Sequence, residues 1–95
     1  MAKVVIQHHV ADFDAWYPVF TDHEGVRALH GGKGHSLMRS ADDPNDVVIV
    51  IEYATADGAR AFMADPSLPE AMARGGVDSK PAVWLCEEAE SKTYD

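Results

Sequence analysis

The segment that most constrains the fold is residues 47–53, which reads VVIVIEY. Its β-branched aliphatic side chains strongly favour a strand. Val47, Ile49 and Ile51 point to one face of that strand, while Val48 and Val50 point to the other. Both faces therefore require burial, yet the helices of a 95-residue chain cover only one face of a sheet well. We expect a ligand, a second copy of the chain, or both to cover the second face.

The net charge of the chain restricts the classes of molecule that it is expected to bind. Eight basic residues against sixteen acidic ones give a formal net charge of −8. Nucleic acids and anionic membranes are bound by positively charged surfaces, so neither is expected as a partner. The hydrophobic fraction of 46% is typical of a globular protein, and we expect one domain over residues 1–95 with a polar tail at 88–95.

Cysteine content and the amino-terminal sequence bear on the compartment. Cys86 is the single cysteine, so no internal disulfide forms, and no histidine or cysteine spacing typical of a metal site is present. The apolar run after Lys3 is too short for a signal peptide, and no apolar run is long enough to span a membrane. We expect a cytoplasmic protein without a bound metal.

Periodicity and capping residues predict seven elements. Strands are expected at 3–10, 34–40, 47–53 and 81–87, and helices at 13–29, 56–64 and 68–74. Asp12 and Thr55 are placed to cap the first two helices, and Pro18 predicts a kink or restart within the first. The pairs Gly31-Gly32 and Gly75-Gly76 are expected to end the first and last helices.

The order of these elements predicts the α+β fold class. A β-α-β-β-α-(α)-β chain is the ferredoxin-like (βαββαβ) arrangement, a four-stranded antiparallel sheet with helices on one face. The first and third strands should be central. Since an apolar sheet face of this size is not left in water, two sheets are expected to pack face to face as a homodimer, a dimeric α+β barrel.

Three segments carry a resemblance to a known family. They are VIQHHVADFDAW at 5–16, RSADDPN at 39–45 ahead of a strand that ends in Glu52-Tyr53, and MARGGV at 72–77. The chain resembles the antibiotic biosynthesis monooxygenase superfamily of small dimeric α+β barrel proteins. That resemblance implies oxygenation without a cofactor in an aromatic-lined pocket. Asn45 is the only asparagine and lies in a predicted turn, so the pattern of the haem-degrading members is not matched.

The first strand supplies the best candidate base. His8 and His9 are adjacent, so they point to opposite faces. The face with His8 is the more apolar and suits the helix layer, which places Gln7 and His9 in the barrel interior. His9 is then a candidate general base because histidine titrates near neutrality; the alternative is a hydrogen-bonded packing residue. Glu52 is a second candidate base, or an exposed carboxylate at the strand end.

Other residues are candidates for the pocket wall. Trp84, His35 and Arg39 are expected beside His9 in the inter-sheet cavity, together with Gln7. Trp84 is equally suited to the core, His35 to a sheet edge, and Arg39 to pairing with the acidic turn before residue 47. His23 and His30 lie seven apart on the first helix and are expected at its surface or end.

Two functions are compatible with these features. The first is a cofactor-independent monooxygenase acting on a small aromatic or polyketide-like substrate in the inter-sheet cavity. There a base deprotonates the substrate and the resulting carbanion reacts with O₂ directly. The second is a non-catalytic ligand-binding or cyclase-like dimeric module. The first needs a titratable group in a closed cavity, whereas the second needs only the cavity.

Overall fold

The computed structural model describes residues 1–95 and contains four strands and four helices. The strands are β1 (Ala2–His9), β2 (Gly32–Arg39), β3 (Asp46–Tyr53) and β4 (Ala82–Glu87). The helices are α1 (Phe13–Asp22), α2 (Glu24–Leu29), α3 (Ala56–Met63) and α4 (Ser67–Arg74). Residues 88–95 form no helix or strand. None of the helices combines the length and the apolar character that crossing a membrane requires.

The four strands form one antiparallel sheet in the order β2-β3-β1-β4. The predicted ferredoxin-like α+β fold is therefore confirmed, with β1 and β3 in the centre. In the register, Val4 lies opposite Ile51 on β3 and opposite Leu85 on β4. Because directly paired residues share a face, this register fixes the face of every side chain in the sheet.

All four helices lie on one face of the sheet and bury the core against it. His8 of β1 contacts Trp16 of α1, and Tyr53 of β3 contacts Phe62 of α3. The buried core consists of Val4, Ile6, Val10, Trp16, Phe20, Val47, Ile49, Ile51, Tyr53, Ala59 and Phe62. The odd-numbered residues of 47–53 thus share one face, as their alternation predicts, and that face is the one covered by the helices.

The predicted break within the first helix is at a different residue. Pro18 lies inside α1, which continues to Asp22, and the chain breaks at His23 before α2. Pro18 has no N–H, so the carbonyl of Asp14 loses its helical hydrogen bond. The helix tolerates this because Pro18 and Asp14 are both exposed to solvent. His23 caps the end of α1 with a ψ near 0°, and the residue is buried.

The helix caps follow the sequence. Asp12 accepts a hydrogen bond from the Asp14 N–H, and Thr55 Oγ1 accepts one from the Gly58 N–H. Gly31 follows α2 with a φ of 89°, and Gly76 follows α4 with a φ of 79°. Both angles lie in the left-handed region that glycine adopts without strain, so both glycine pairs end helices as predicted.

The other face of the sheet is uncovered in the single chain. Its apolar residues come from all four strands, and Trp84 and Met38 are 52% and 45% exposed. We refer to this surface as the open face; its apolar members are Val5, Met38, Val48, Val50, Ala82 and Trp84. An apolar sheet face of this kind marks an interaction surface.

Candidate functional site

A cavity of about 40 Å³ lies between the sheet and the helices. Ten of its thirteen lining residues are hydrophobic, and none is acidic. The lining consists of Ile6, His8, Trp16, Val19, Phe20, His23, Arg27, Ile49, Ile51, Phe62, Leu68, Ala71 and Met72. An apolar pocket with a few convergent polar groups is the usual form of a small-molecule site. We call this space the helix–sheet cavity.

His8 is the polar group that the sheet contributes to the cavity. Only 1% of it is exposed, and its ring meets Trp16 edge-on with 5.6 Å between centroids. Its Nδ1 atom has no hydrogen-bond partner. Burial lowers the pKa of His8 below its usual value because the charged form loses its hydration. The ring is therefore neutral at pH 7 and free to exchange a proton with a ligand.

Arg27 is the polar group that α2 contributes. The residue is 4% exposed, its guanidinium carbon lies 3.9 Å from the centroid of the Phe20 ring, and Nη1 donates to the Phe20 carbonyl at 2.9 Å. Nη2 has no hydrogen-bond partner, and the guanidinium makes no ion pair.

Tyr53 is a third buried residue with an unpaired polar atom. Its hydroxyl has no hydrogen-bond partner, and burial raises the pKa of that hydroxyl.

His23 connects the cavity to the loop before α4. Its Nε2 lies 2.8 Å from Ser67 Oγ, which in turn donates to Asp65 Oδ1 at 2.7 Å. His30 Nε2 lies 2.9 Å from Asp65 Oδ2. Hydrogen bonds from His30 and Ser67 lower the pKa of Asp65 to about 2, and burial together with Arg27 lowers that of His23. His23 lies at the end of α1, one of the two expected positions, but it is not at the surface, since it is only 8% exposed.

His9 lies on the side of the sheet opposite the helices, as the alternation predicts. Both of its ring nitrogens are occupied, Nδ1 by Asp78 at 2.7 Å and Nε2 by Asp43 at 3.2 Å. The hydrogen bond to Asp78 is the main cause of a raised pKa, to which Asp43 also contributes. A histidine whose charged form is stabilised by two carboxylates is a poor proton acceptor. Its role as a base stays a prediction that these contacts do not favour.

Three further predicted residues share the open face. Gln7 donates to Asp46 Oδ1 at 2.6 Å. Glu52 ends β3 on this face, and its carboxylate accepts no hydrogen bond from the chain. Trp84 lies opposite Val5 in the β1–β4 pair. The structure thus places Gln7, Glu52 and Trp84 on one surface, but this surface encloses a cavity only if another molecule covers it.

The predicted positions of His35 and Arg39 in an inter-sheet cavity are wrong. His35 pairs with Ile51 and Arg39 with Val47, so both side chains lie on the helix-covered side. The His35 ring meets Phe20 edge-on at 4.9 Å, although the residue is exposed. The physical reason for the error is that β2 is an edge strand with polar residues on both faces, so its pattern does not fix its orientation.

The alternative prediction for Arg39, pairing with the acidic turn before residue 47, is met only in part. Its guanidinium carbon lies 3.9 Å from the centroid of the Phe13 ring, and Nε donates to the Pro44 carbonyl at 2.8 Å. It therefore contacts the acidic turn through the backbone rather than through an aspartate. Arg39 does not line the helix–sheet cavity.

The sequence analysis does not mark three of these buried polar residues as functional: Arg27, His23 and Tyr53. A signal is present for Arg27, which follows Phe20 by seven positions and therefore extends the apolar stripe of the helices. An arginine at an inward-facing position is unusual enough to indicate a site. The histidines, the cysteine and the acidic residues form no group of three placed to hold a metal ion.

Comparison with known proteins adds structural relatives. No protein-family model and no curated protein matches the sequence. A variant of SnoaB, a cofactor-independent oxygenase from Streptomyces nogalater, is 25% identical with a TM-score of 0.75; the match covers 95% of this chain and 94% of that one.

Two further solved structures match at lower identity. The monooxygenase from the gene ActVA-Orf6 of Streptomyces coelicolor, in complex with nanaomycin D, is 15% identical with a TM-score of 0.70 over 99% of this chain and 92% of that one. An antibiotic biosynthesis monooxygenase is 14% identical with a TM-score of 0.64 over 95% and 100%. Over nearly its whole length, the chain therefore resembles the antibiotic biosynthesis monooxygenases, as its sequence motifs predict.

Proposed function

We propose that the protein is a cofactor-independent monooxygenase that oxidises a small aromatic or polyketide-like substrate in the helix–sheet cavity. The observation that carries this proposal is the unpaired, neutral His8 in a buried space walled by Trp16 and Phe20. Aromatic walls suit a flat ring, and a buried imidazole without a partner suits proton transfer. The likeness to SnoaB, a cofactor-independent oxygenase, supports the same reaction class.

The chemistry requires a base and a reactive carbanion. His8 Nδ1 accepts a proton from an activated CH₂ group of the substrate, and the carbanion adds O₂ to form a peroxide anion. That anion takes the proton back from His8 to give a hydroperoxide. Loss of water from the hydroperoxide converts CH₂ to C=O, so that one oxygen atom enters the product and the other leaves as H₂O. The second hydrogen of the CH₂ group leaves with that water. The substrate itself supplies the electrons that reduce O₂, so the proposed reaction uses no cofactor.

The helix–sheet cavity must widen before it can hold an aromatic substrate. About 40 Å³ holds water molecules, whereas pockets for larger ligands measure roughly 300–1,000 Å³. Val19, Leu68 and Met72 line the cavity and are only partly buried, so they form its rim between α1 and α4. Outward movement of the Leu68 and Met72 side chains is the step that admits an aromatic ring.

Oxygen uptake tests the function. With a panel of phenolic and polyketide-like aromatics, the parent protein should consume O₂ with at least one compound, and His8→Gln should lose about 100-fold or more of that rate. His9→Ala is the matched control on the adjacent position of the same strand and should retain the rate.

Two results would contradict this assignment. Equal rates for the parent and His8→Gln would remove His8 from the mechanism, and a loss confined to His9→Ala would move the site to the open face. No uptake with any compound, combined with ligand binding, would favour the alternative function, a non-catalytic ligand-binding or cyclase-like module.

We further propose that the protein is a homodimer whose two open faces pack together. The support is the apolar character of Val5, Val48 and Val50 on a face that no helix covers. In such a dimer, Gln7, Glu52 and Trp84 lie between the sheets. An inter-sheet pocket with these residues remains a prediction, since it needs the second chain.

A further inference from the structure

We infer that the ligand of the helix–sheet cavity is an anion, and that Arg27 is the residue that binds its charged oxygen. The chemical class is an aromatic compound with an ionised acidic group, a carboxylate or an acidic phenolate. This inference rests on the proposed function for the identity of the site, and it adds the charge of the ligand and the residue that selects it.

The first observation is a buried positive charge without a counter-ion. Arg27 is 4% exposed, and no carboxylate lies within ion-pair distance of its guanidinium. Its guanidinium donates to the Phe20 carbonyl and stacks on the Phe20 ring, and Nη2 is left with no hydrogen-bond partner. Glu24 raises the pKa of Arg27 through its charge but forms no ion pair with it. Buried arginines are normally paired with an anion because an unpaired charge is costly to remove from water.

The second observation is the composition of the cavity wall. The chain carries sixteen acidic residues and a net charge of −8, yet no aspartate or glutamate lines this cavity. The other two polar residues in the wall, His8 and His23, are neutral at pH 7 because burial lowers both pKa values. The only full charge in the wall is therefore the positive charge of Arg27.

The third observation is the placement of the two unpaired polar atoms whose residues line the cavity; Tyr53, whose hydroxyl is the third unpaired group, does not line it. Arg27 enters the cavity from α2 and His8 enters it from β1, so they approach from the helix layer and from the sheet. A ligand with an ionised group at Nη2 and a second polar or acidic position at His8 Nδ1 satisfies both atoms. An arginine fork suits oxyanions in particular because its donors lie in one plane.

Binding of a matched ligand pair under anaerobic conditions tests this inference without turnover. Benzoate and benzamide have nearly the same shape and differ in charge. By isothermal titration calorimetry, the parent protein should bind benzoate at least about tenfold more tightly than benzamide. Arg27→Met should abolish that preference. Arg39→Met is the matched control, since Arg39 also stacks on a phenylalanine at 3.9 Å but lies outside the cavity.

Thermal unfolding without ligand separates a binding role from a structural one. If Arg27 is kept for an anion, Arg27→Met should leave the unfolding temperature unchanged or raise it, since an apolar side chain of similar length replaces an unpaired charge. A lower unfolding temperature would show that Arg27 also stabilises the fold through its hydrogen bond to the Phe20 carbonyl, and benzoate and benzamide on the parent protein would then decide the anion site. The comparison of benzoate with benzamide on the parent protein remains decisive even if the variant does not fold.

The outcomes distinguish this inference from the proposed function. Equal affinity for benzoate and benzamide, or no binding of either, would mean that Nη2 pairs only with water and would overturn the anion site, even in a protein that consumes O₂. A preference for benzoate that depends on Arg27 in a protein with no oxygen uptake would support the anion site and contradict the monooxygenase.

Discussion

His8 and His9 are neighbours in the chain, but they have opposite environments. His8 is buried among aromatic rings with an unpaired Nδ1, whereas His9 bridges the carboxylates of Asp43 and Asp78. Burial lowers the pKa of His8, and the hydrogen bond to Asp78 raises that of His9. One residue step along a strand is sufficient for this contrast because it reverses the face of the sheet.

The first prediction concerns the titration of this pair. By NMR, His8 should titrate below the ordinary value of 6.5 and His9 above it. Asp78→Asn should bring the His9 pKa down toward 6.5 and leave that of His8 unchanged. A His8 pKa above that of His9 would contradict the assignment of the two faces.

These shifts also give the sign of the pH dependence of stability. The unfolded chain binds protons at His8 more readily than the folded chain, so the free energy of unfolding falls as the pH drops below 6.5. The contribution of His9 has the opposite sign: it is fully present below 6.5 and is lost as the pH rises through the raised pKa. Urea unfolding of His8→Gln should show a weaker loss of stability in acid than the parent protein.

At the scale of elements, α3 packs against the end of α2 through Gly58. A Cβ atom at Gly58 would overlap the backbone carbonyl oxygen of His30, which follows α2. Backbone atoms cannot move aside as a flexible side chain can. The absence of a side chain at position 58 therefore permits the close approach of these two helices.

The second prediction follows from that contact. Gly58→Ala should destabilise the protein by about 1–3 kcal/mol because α3 must shift, although alanine is the better helix former. Gly25→Ala is the matched control in α2, where nothing lies within 4 Å of the added Cβ, and it should stabilise by about 0.5–1 kcal/mol. Chemical denaturation measures both, and a stabilised Gly58→Ala would contradict the packing described.

At the scale of the whole molecule, the two faces of the sheet are covered unequally. One face of the sheet is covered by four helices, and the other exposes an apolar surface that includes Val48 and Val50. A second copy with the same surface would bury both faces at once. A twofold contact of this kind is self-complementary, so one surface is sufficient for the dimer.

The third prediction tests that assembly. Sedimentation at micromolar concentration should give about twice the chain mass of 10.3 kDa. Val50→Asp should yield a folded monomer, because a buried unpaired charge costs the dimer about 3–5 kcal/mol. Leu29→Asp is the control on the helix side, where Leu29 is 77% exposed, and it should remain a dimer. A parent protein that is monomeric at every concentration would refute the proposal.

The fold was predictable because its signals are local. The two-sided apolar pattern of 47–51, the alternation in β1 and the caps at Asp12 and Thr55 each depend on residues a few positions apart. The helix–sheet cavity was not predictable in this way. His23 turns inward where the chain breaks, and its partner Ser67 is 44 positions away. The only local signal for the inward direction of Arg27 is its seven-residue spacing from Phe20, and the break at His23 interrupts the helix between the two residues.

The two tryptophans of this chain lie on opposite sides of the sheet. Trp16 is 4% exposed and lines the helix–sheet cavity, whereas Trp84 is 52% exposed on the open face. Indole emission shifts to shorter wavelength as water is removed from the ring, so each tryptophan reports on a different event. Filling of the cavity changes the blue component from Trp16, and association of two chains shifts the red component from Trp84. Fluorescence thus resolves ligand binding and self-association in one sample without an added label.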